Sequence, residues 1–224
     1  MMHRENGEYI DGSDSPVIDR VESPQSEQTE QAEQTEQSEE FDAGEVQANA
    51  SVVASVPRVV LVGPPGAGKS TIGRRLGSAL NLPVVDSDLL IEQAGGKPCG
   101  EIFSELGEER FRELEAQCVA NALATGGVAS LGGGAVLTAQ TRQLLQRHTV
   151  VWIDVSAEEG IRRTAGETSR PVLNAEDPAQ HYRDLLATRE PFYREVANYR
   201  VRTDERPPQR VVAEVLGIIE STED

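Results

Sequence analysis

A chain of 224 residues with 38 acidic against 21 basic side chains carries a formal charge of −17, which argues against nucleic acid as a substrate. No stretch approaches the ~18 continuous apolar residues of a membrane span, and the acidic start lacks the basic and apolar regions of a signal peptide. Two cysteines, Cys99 and Cys118, lack metal-ligand spacing and read as free thiols of a reducing, cytoplasmic compartment, Cys99 in a loop-like stretch and Cys118 in a helical one.

The charge is uneven. Residues 1–56 hold 14 Asp/Glu against 2 Arg, a net of −12, leaving −5 for the rest. A three-residue repeat runs through Ser26-Glu27-Gln28, Thr29-Glu30-Gln31, Ala32-Glu33-Gln34 and Thr35-Glu36-Gln37. That period spreads acids around a helix and leaves no apolar stripe. Residues 1–56 therefore predict a disordered acidic tail, either a solubilising or partner-binding segment or a dispensable extension. Residues 57–224 predict one domain with length enough for a single sizeable core.

Strand-like apolar runs follow at Arg58–Val62, Pro83–Asp86, Gly127–Leu131, Thr149–Val155 and Tyr199–Thr203. Helical patterns lie between and beyond them, at Lys69–Asn81, Leu89–Ala94, Glu108–Ala124, Ala139–Arg147, Ala157–Thr164, Pro178–Ala197 and Gln209–Glu220. Strands alternating with helices predict an α/β fold with a parallel sheet covered on both faces. Such sheets bind ligands beyond the carboxyl ends of their strands, so the polar residues there are the functional candidates.

After the first strand, Gly63-Pro64-Pro65-Gly66-Ala67-Gly68-Lys69-Ser70 spells G-x-x-x-x-G-K-[ST], the phosphate-binding P-loop. Its glycines let backbone N–H groups wrap an anionic phosphate, and the following helix adds its positive end. Lys69, one of only two lysines, reaches the outer phosphates, and Ser70 can ligand Mg²⁺. After the second strand, one carboxylate of Asp86-Ser87-Asp88 can hold the water shell of Mg²⁺ while the other accepts a hydrogen bond from a substrate hydroxyl. Asp88 could instead cap a helix starting at Leu89.

After the third strand, Gly132-Gly133-Gly134 suggests backbone lying flat against a ligand and offering N–H donors. In the preceding helix, Phe111, Leu114 and Cys118 mark the predicted buried face, and Arg112 and Glu115 read from spacing alone as a solvated surface pair. Arg163, Arg170 and Arg189 are individually weak candidates. Arg170 has the better context, because Gly166–Pro171 and Asn174–Asp177 have the polar composition of a mobile lid whose arginine can swing onto a transferring phosphate. His3, His148 and His181 show no metal or triad pairing, and Trp152 reads as core.

Together, the P-loop, Asp-x-Asp, Phe-Arg-x-x-Glu, Gly-Gly-Gly and Arg-Pro segments resemble shikimate kinase, in the family's order over about residues 58–220. The resemblance implies a three-layer α/β/α P-loop kinase fold with a five-stranded parallel sheet and a mobile lid. It also implies transfer of the γ-phosphoryl of ATP to the 3-hydroxyl of shikimate, with Mg²⁺, by a cytoplasmic monomer without nucleic-acid or membrane partners. By this resemblance Lys69, Asp88 and Arg170 are catalytic. Gly66, Ala67, Gly68, Lys69, Ser70, Thr71, Arg163, Arg170 and Arg206 hold ATP, the last aligned less firmly between Glu205 and Pro207. Asp88, Arg112, Gly133, Gly134 and Arg189 hold shikimate, with Glu115 supporting Arg112, and Ser70 and Asp86 hold the metal. Another small-molecule kinase is the nearest alternative, but the Asp-Gly-Phe-Pro-Arg run of adenylate kinases is absent. A nucleotide-dependent switch would need no acceptor site and usually shows an Asn-Lys-x-Asp motif, also absent.

Overall fold

A computed structural model describes residues 56–165 and 177–222. Apart from Val56, the expected tail lies outside the described residues, as does most of the expected lid, Arg170 included.

Five parallel strands form one sheet: β1 (Pro57–Val62), β2 (Val84–Asp86), β3 (Gly127–Ser130), β4 (Val150–Asp154) and β5 (Tyr199–Arg202), ordered β2-β3-β1-β4-β5. The helices described are α1 (Lys69–Leu80), α2 (Ser87–Gly95), α3 (Cys99–Leu123), α4 (Ala139–Leu145), α5 (Ala157–Thr164), α6 (Pro178–Val196) and α7 (Pro208–Ser221). From β1 the chain crosses past β3 to β2, returns to β3, and only then crosses to β4. The strand order thus reverses around β1, the kind of switch point where parallel sheets open a crevice for ligands.

The sheet is buried on both faces because β1 alternates its side chains into two cores. Val59 and Leu61 pack with Ile72 and Leu76 of α1 and Val211, Val215 and Ile219 of α7. Val60 and Val62 pack with Val119 and Ala122 of α3, Leu145 of α4, Trp152, and Tyr193 and Val196 of α6. Trp152 is core, as its strand context predicts.

Three departures from the sequence reading have local causes. Cys99 is not in a loop but opens α3, where the Glu92 carboxylate accepts its backbone N–H at 3.1 Å. The predicted helix from Glu108 is the second part of α3, set off from the first by Gly107 at φ 73° and ψ 169°. Finally, α2 begins at Ser87 rather than Leu89, because the cap is Asp86: its Oδ1 accepts the N–H of Asp88 at 3.0 Å. Strand geometry therefore ends at Asp86, and Asp88 sits in the first turn of a helix.

Two helical glycines should respond oppositely to alanine. A Cβ at Gly77 in α1 would overlap the Val84 side chain and lie 2.9 Å from the Leu82 carbonyl oxygen, whereas one at exposed Gly217 in α7 meets nothing within 4 Å. Gly217→Ala should stabilise by about 0.5–1 kcal/mol. Gly77→Ala should be destabilising by about 1–3 kcal/mol, since overpacking outweighs the propensity gain. Thermal melts of the two variants check this, as midpoints moving in opposite directions.

Candidate active site

The phosphate loop is built at the carboxyl end of β1. Gly68, at φ 93°, supplies the left-handed turn from which α1 starts, leaving the first N–H groups of the helix facing the loop's mouth. No acidic side chain occupies the first turn of α1, so its positive end is not neutralised there. The Lys69 ammonium donates to the carbonyl oxygens of Gly63 at 2.8 Å and Pro64 at 3.1 Å, which keeps it over the loop.

Asp86 ties this loop to the neighbouring strands. Its Oδ2 accepts from Ser70 Oγ at 2.8 Å and from Ser130 Oγ, at the end of β3, at 3.1 Å. The Ser70 hydroxyl and Asp86 carboxylate are thus adjacent hard-oxygen donors. Among the described residues no three His, Cys, Asp or Glu side chains gather into a metal-binding group. An ion held by one carboxylate, one hydroxyl, waters and phosphate oxygens fits what is there, and that is the habit of Mg²⁺.

On one side of the loop lies a cleft of about 260 Å³ lined by Gly66, Ala67, Gly68, Thr71, Arg163 and Arg206, among others. The sequence-predicted nucleotide residues of both arginine segments therefore meet the P-loop. Arg163 is braced as a wall: it donates to Glu159 at 2.7 Å, to the Gly66 carbonyl at 3.2 Å, and to the Thr203 hydroxyl and carbonyl at 3.1 and 2.9 Å. Hydrogen bonds from Arg162 and Arg163 pull the Glu159 carboxyl down to about 2, so that anchor stays charged. Arg206 donates to the Arg202 carbonyl at 2.9 Å and pairs with Glu214 at 2.6 Å.

A second cluster forms around Gly132–Gly134. Here the solvated-pair reading of Arg112 and Glu115 is overturned. The buried face of α3 runs Phe111, Glu115, Cys118, Val119 and Ala122, with Leu114 only half-buried, so Glu115 takes a core position. At 3% exposure, its carboxylate accepts from Arg112 at 2.6 Å. Burial pushes the Glu115 carboxyl up, Arg112 opposes this, and nearby Asp88 adds to it. Arg112 is 17% exposed, and its Nε is buried without a hydrogen-bond partner among the described residues, Glu108 standing 3.7 Å away. Such a guanidinium is poised to take a further anion.

The glycine run leaves room for these groups. A Cβ at Gly132 would overlap Asp88 Oδ1 and lie 3.4 Å from Glu115 Oε1, and one at Gly134 would overlap the Arg112 guanidinium. At Gly133 the neighbours would be Pro65 of the P-loop at 3.2 Å and Arg189 Nη1 at 3.5 Å. Asp88, Arg112, Arg189 and the P-loop edge thus converge on one strand-end loop. Three members were not predicted from sequence. Buried Ser87 accepts the Gly132 N–H at 2.9 Å, and two tyrosines of α6 donate to loop carbonyls, Tyr182 to Pro65 at 2.7 Å and Tyr193 to Gly133 at 2.6 Å. The sequence reading gave neither tyrosine a role; only their spacing of eleven residues, close to three helical turns, hints at a shared face.

The family model for shikimate kinase matches residues 65–220. A shikimate kinase of Corynebacterium efficiens is 68% identical over 164 residues, covering 73% of this chain and 97% of that protein. One from Corynebacterium glutamicum is 67% identical over 165 residues, covering 74% and 98%. Among solved structures, shikimate kinase from Acinetobacter baumannii in complex with shikimate aligns with a TM-score of 0.71 at 37% identity, covering 75% of this chain and 94% of that one. This chain belongs to the shikimate kinase family.

Proposed function

We propose that this protein transfers the γ-phosphoryl group of ATP to the 3-hydroxyl of shikimate, giving shikimate 3-phosphate and ADP for aromatic biosynthesis. One observation carries the reading: the P-loop meets, across Gly133, a cluster in which Asp88 and two arginines, one of them paired with Glu115, converge. A small hydroxylated acid needs both kinds of group, cations for its carboxylate and an acceptor for the reacting hydroxyl.

In this reading Arg112 and Arg189 bind the shikimate carboxylate, while the Gly133 and Gly134 backbone lies against the ring. Glu115 fixes Arg112. Asp88 accepts a hydrogen bond from the 3-hydroxyl and aims its oxygen at the γ-phosphorus. As the new O–P bond forms, the bond from the γ-phosphorus to the β,γ-bridging oxygen breaks, ADP leaves with that electron pair, and the hydroxyl proton passes late to Asp88. The transition state is loose, so orientation counts for more than early proton removal. Gly66 to Thr71 cradle the phosphates, Lys69 steadies the transferring group, and Arg163 and Arg206 flank the nucleotide in the cleft they line. Arg170 is assigned the same charge-neutralising role from its place in the sequence. Ser70 and Asp86 are the residues that would hold Mg²⁺, whose chemistry when bound is to neutralise phosphate charge. Residues 57–224 form the catalytic domain and 1–56 an appended tail.

The enzyme is further proposed to act as a cytoplasmic monomer without nucleic-acid or membrane partners. The net negative charge weighs against nucleic acid as a partner.

Coupled ADP release with ATP should depend on shikimate and be far weaker with quinate, gluconate or AMP; equal turnover on gluconate or AMP would reassign the acceptor. Arg112→Ala should raise the shikimate KM about a hundredfold, because charge-assisted paired hydrogen bonds are lost, with little change in the ATP KM. Equal losses for both substrates contradict the assignment. Removing residues 1–55 should leave kcat and both KM values at those of the full chain, and a large loss in this assay would give the tail a role.

A further inference from the structure

We propose that Tyr182 is a positioning residue for the phosphate loop, its hydroxyl holding the Pro65–Gly66 peptide in the orientation that nucleotide phosphates need. The proposal rests on the reading of Gly66–Thr71 as the phosphate cradle. Tyr182 is fully buried in α6, and its hydroxyl donates to the Pro65 carbonyl oxygen at 2.7 Å, across 117 residues of chain. A peptide unit is planar and trans, so its C=O and N–H point opposite ways. With the Pro65 carbonyl drawn to Tyr182, the Gly66 N–H of the same peptide is turned away from it. Packing sets the place of the phenol: a Cβ at Gly160 of α5 would overlap the Tyr182 hydroxyl and ring.

The neighbouring peptides are held in the same way. Lys69 donates to the Gly63 and Pro64 carbonyls, Tyr182 to that of Pro65, and Arg163 to that of Gly66 at 3.2 Å. Successive carbonyls of the loop are thus tied to side-chain donors. Gly66 itself has φ 75°, a left-handed conformation that needs such support, and a Cβ there would lie 3.1 Å from the Gly160 carbonyl oxygen. Lys69 and Arg163 also face the nucleotide in the proposed function. Tyr182, being fully buried, acts on the ligand only through the loop.

Tyr182→Phe keeps the buried ring and removes only this oxygen. It should raise the ATP KM about fivefold, the scale of one lost hydrogen bond, and weaken ADP binding in calorimetry by the same factor. The shikimate KM should stay at the native value. A merely structural role would not give that split, because α6 also carries Arg189: loosening the helix would lower the thermal midpoint and move both KM values together. An unchanged ATP KM in Tyr182→Phe, an equal rise in both KM values, or ADP binding at native strength would each overturn the proposal. Lys69→Met separates the two levels. Native ADP binding in that variant sinks the phosphate-cradle reading itself. Weakened ADP binding there, with Tyr182→Phe at the native value, leaves the cradle standing and removes only the positioning role.

Discussion

A carboxylate sunk into the core face of α3 sets the acceptor side of this molecule. Glu115 occupies a helical position where an apolar residue would ordinarily pack, and it is 3% exposed. A buried charge costs several kcal/mol, roughly, unless it is paired. The partner is Arg112, at 2.6 Å, and the pairing fixes where that guanidinium lies. Its place lies where a Cβ of residue 134 would be, and Asp88 lies where one of residue 132 would be. The glycine run thus follows from the charges packed behind it. Glycine permits the backbone and these side chains to share one small space.

The phosphate side depends on a second carboxylate with a different duty. Asp86 ends β2, caps α2, and receives hydroxyls from Ser70 of α1 and Ser130 of β3. It holds the loop that handles phosphate in register with the helix that carries Asp88. The two carboxylates stand only two residues apart in sequence, yet one closes a strand and the other opens a helix. That break in backbone geometry gives them separate neighbours and separate roles.

Much of this was legible before any coordinates. The P-loop spacing, the alternation of strands and helices and the strand-end filter led to Lys69, Asp86, Asp88 and the glycines, because each depends on local backbone rules. Glu115 was misread for the opposite reason. Spacing shows that two charges can pair, but whether the pair faces water depends on which face of α3 meets α2 and the sheet, a tertiary fact. Cys99 was misplaced because its helix is capped by Glu92, seven residues earlier, through a contact no local pattern encodes. Tyr182 and Tyr193 were missed since a buried ring looks alike in sequence whether or not its hydroxyl has a task. Arg163 was only a weak candidate from sequence, and its nucleotide role came through family resemblance; its bonds to Gly66 and Thr203 span 97 and 40 residues.

The central proposal is that the buried Arg112–Glu115 pair reads the carboxylate of the acceptor. Calorimetric titration with shikimate and with its neutral carboxamide, on the native chain and on Arg112→Ala, tests this directly. The native protein should favour the acid by about a hundredfold, as expected for charge-assisted paired hydrogen bonds, and Arg112→Ala should lose most of that preference. A preference for the acid that survives intact in Arg112→Ala would place carboxylate recognition elsewhere and contradict the site described above.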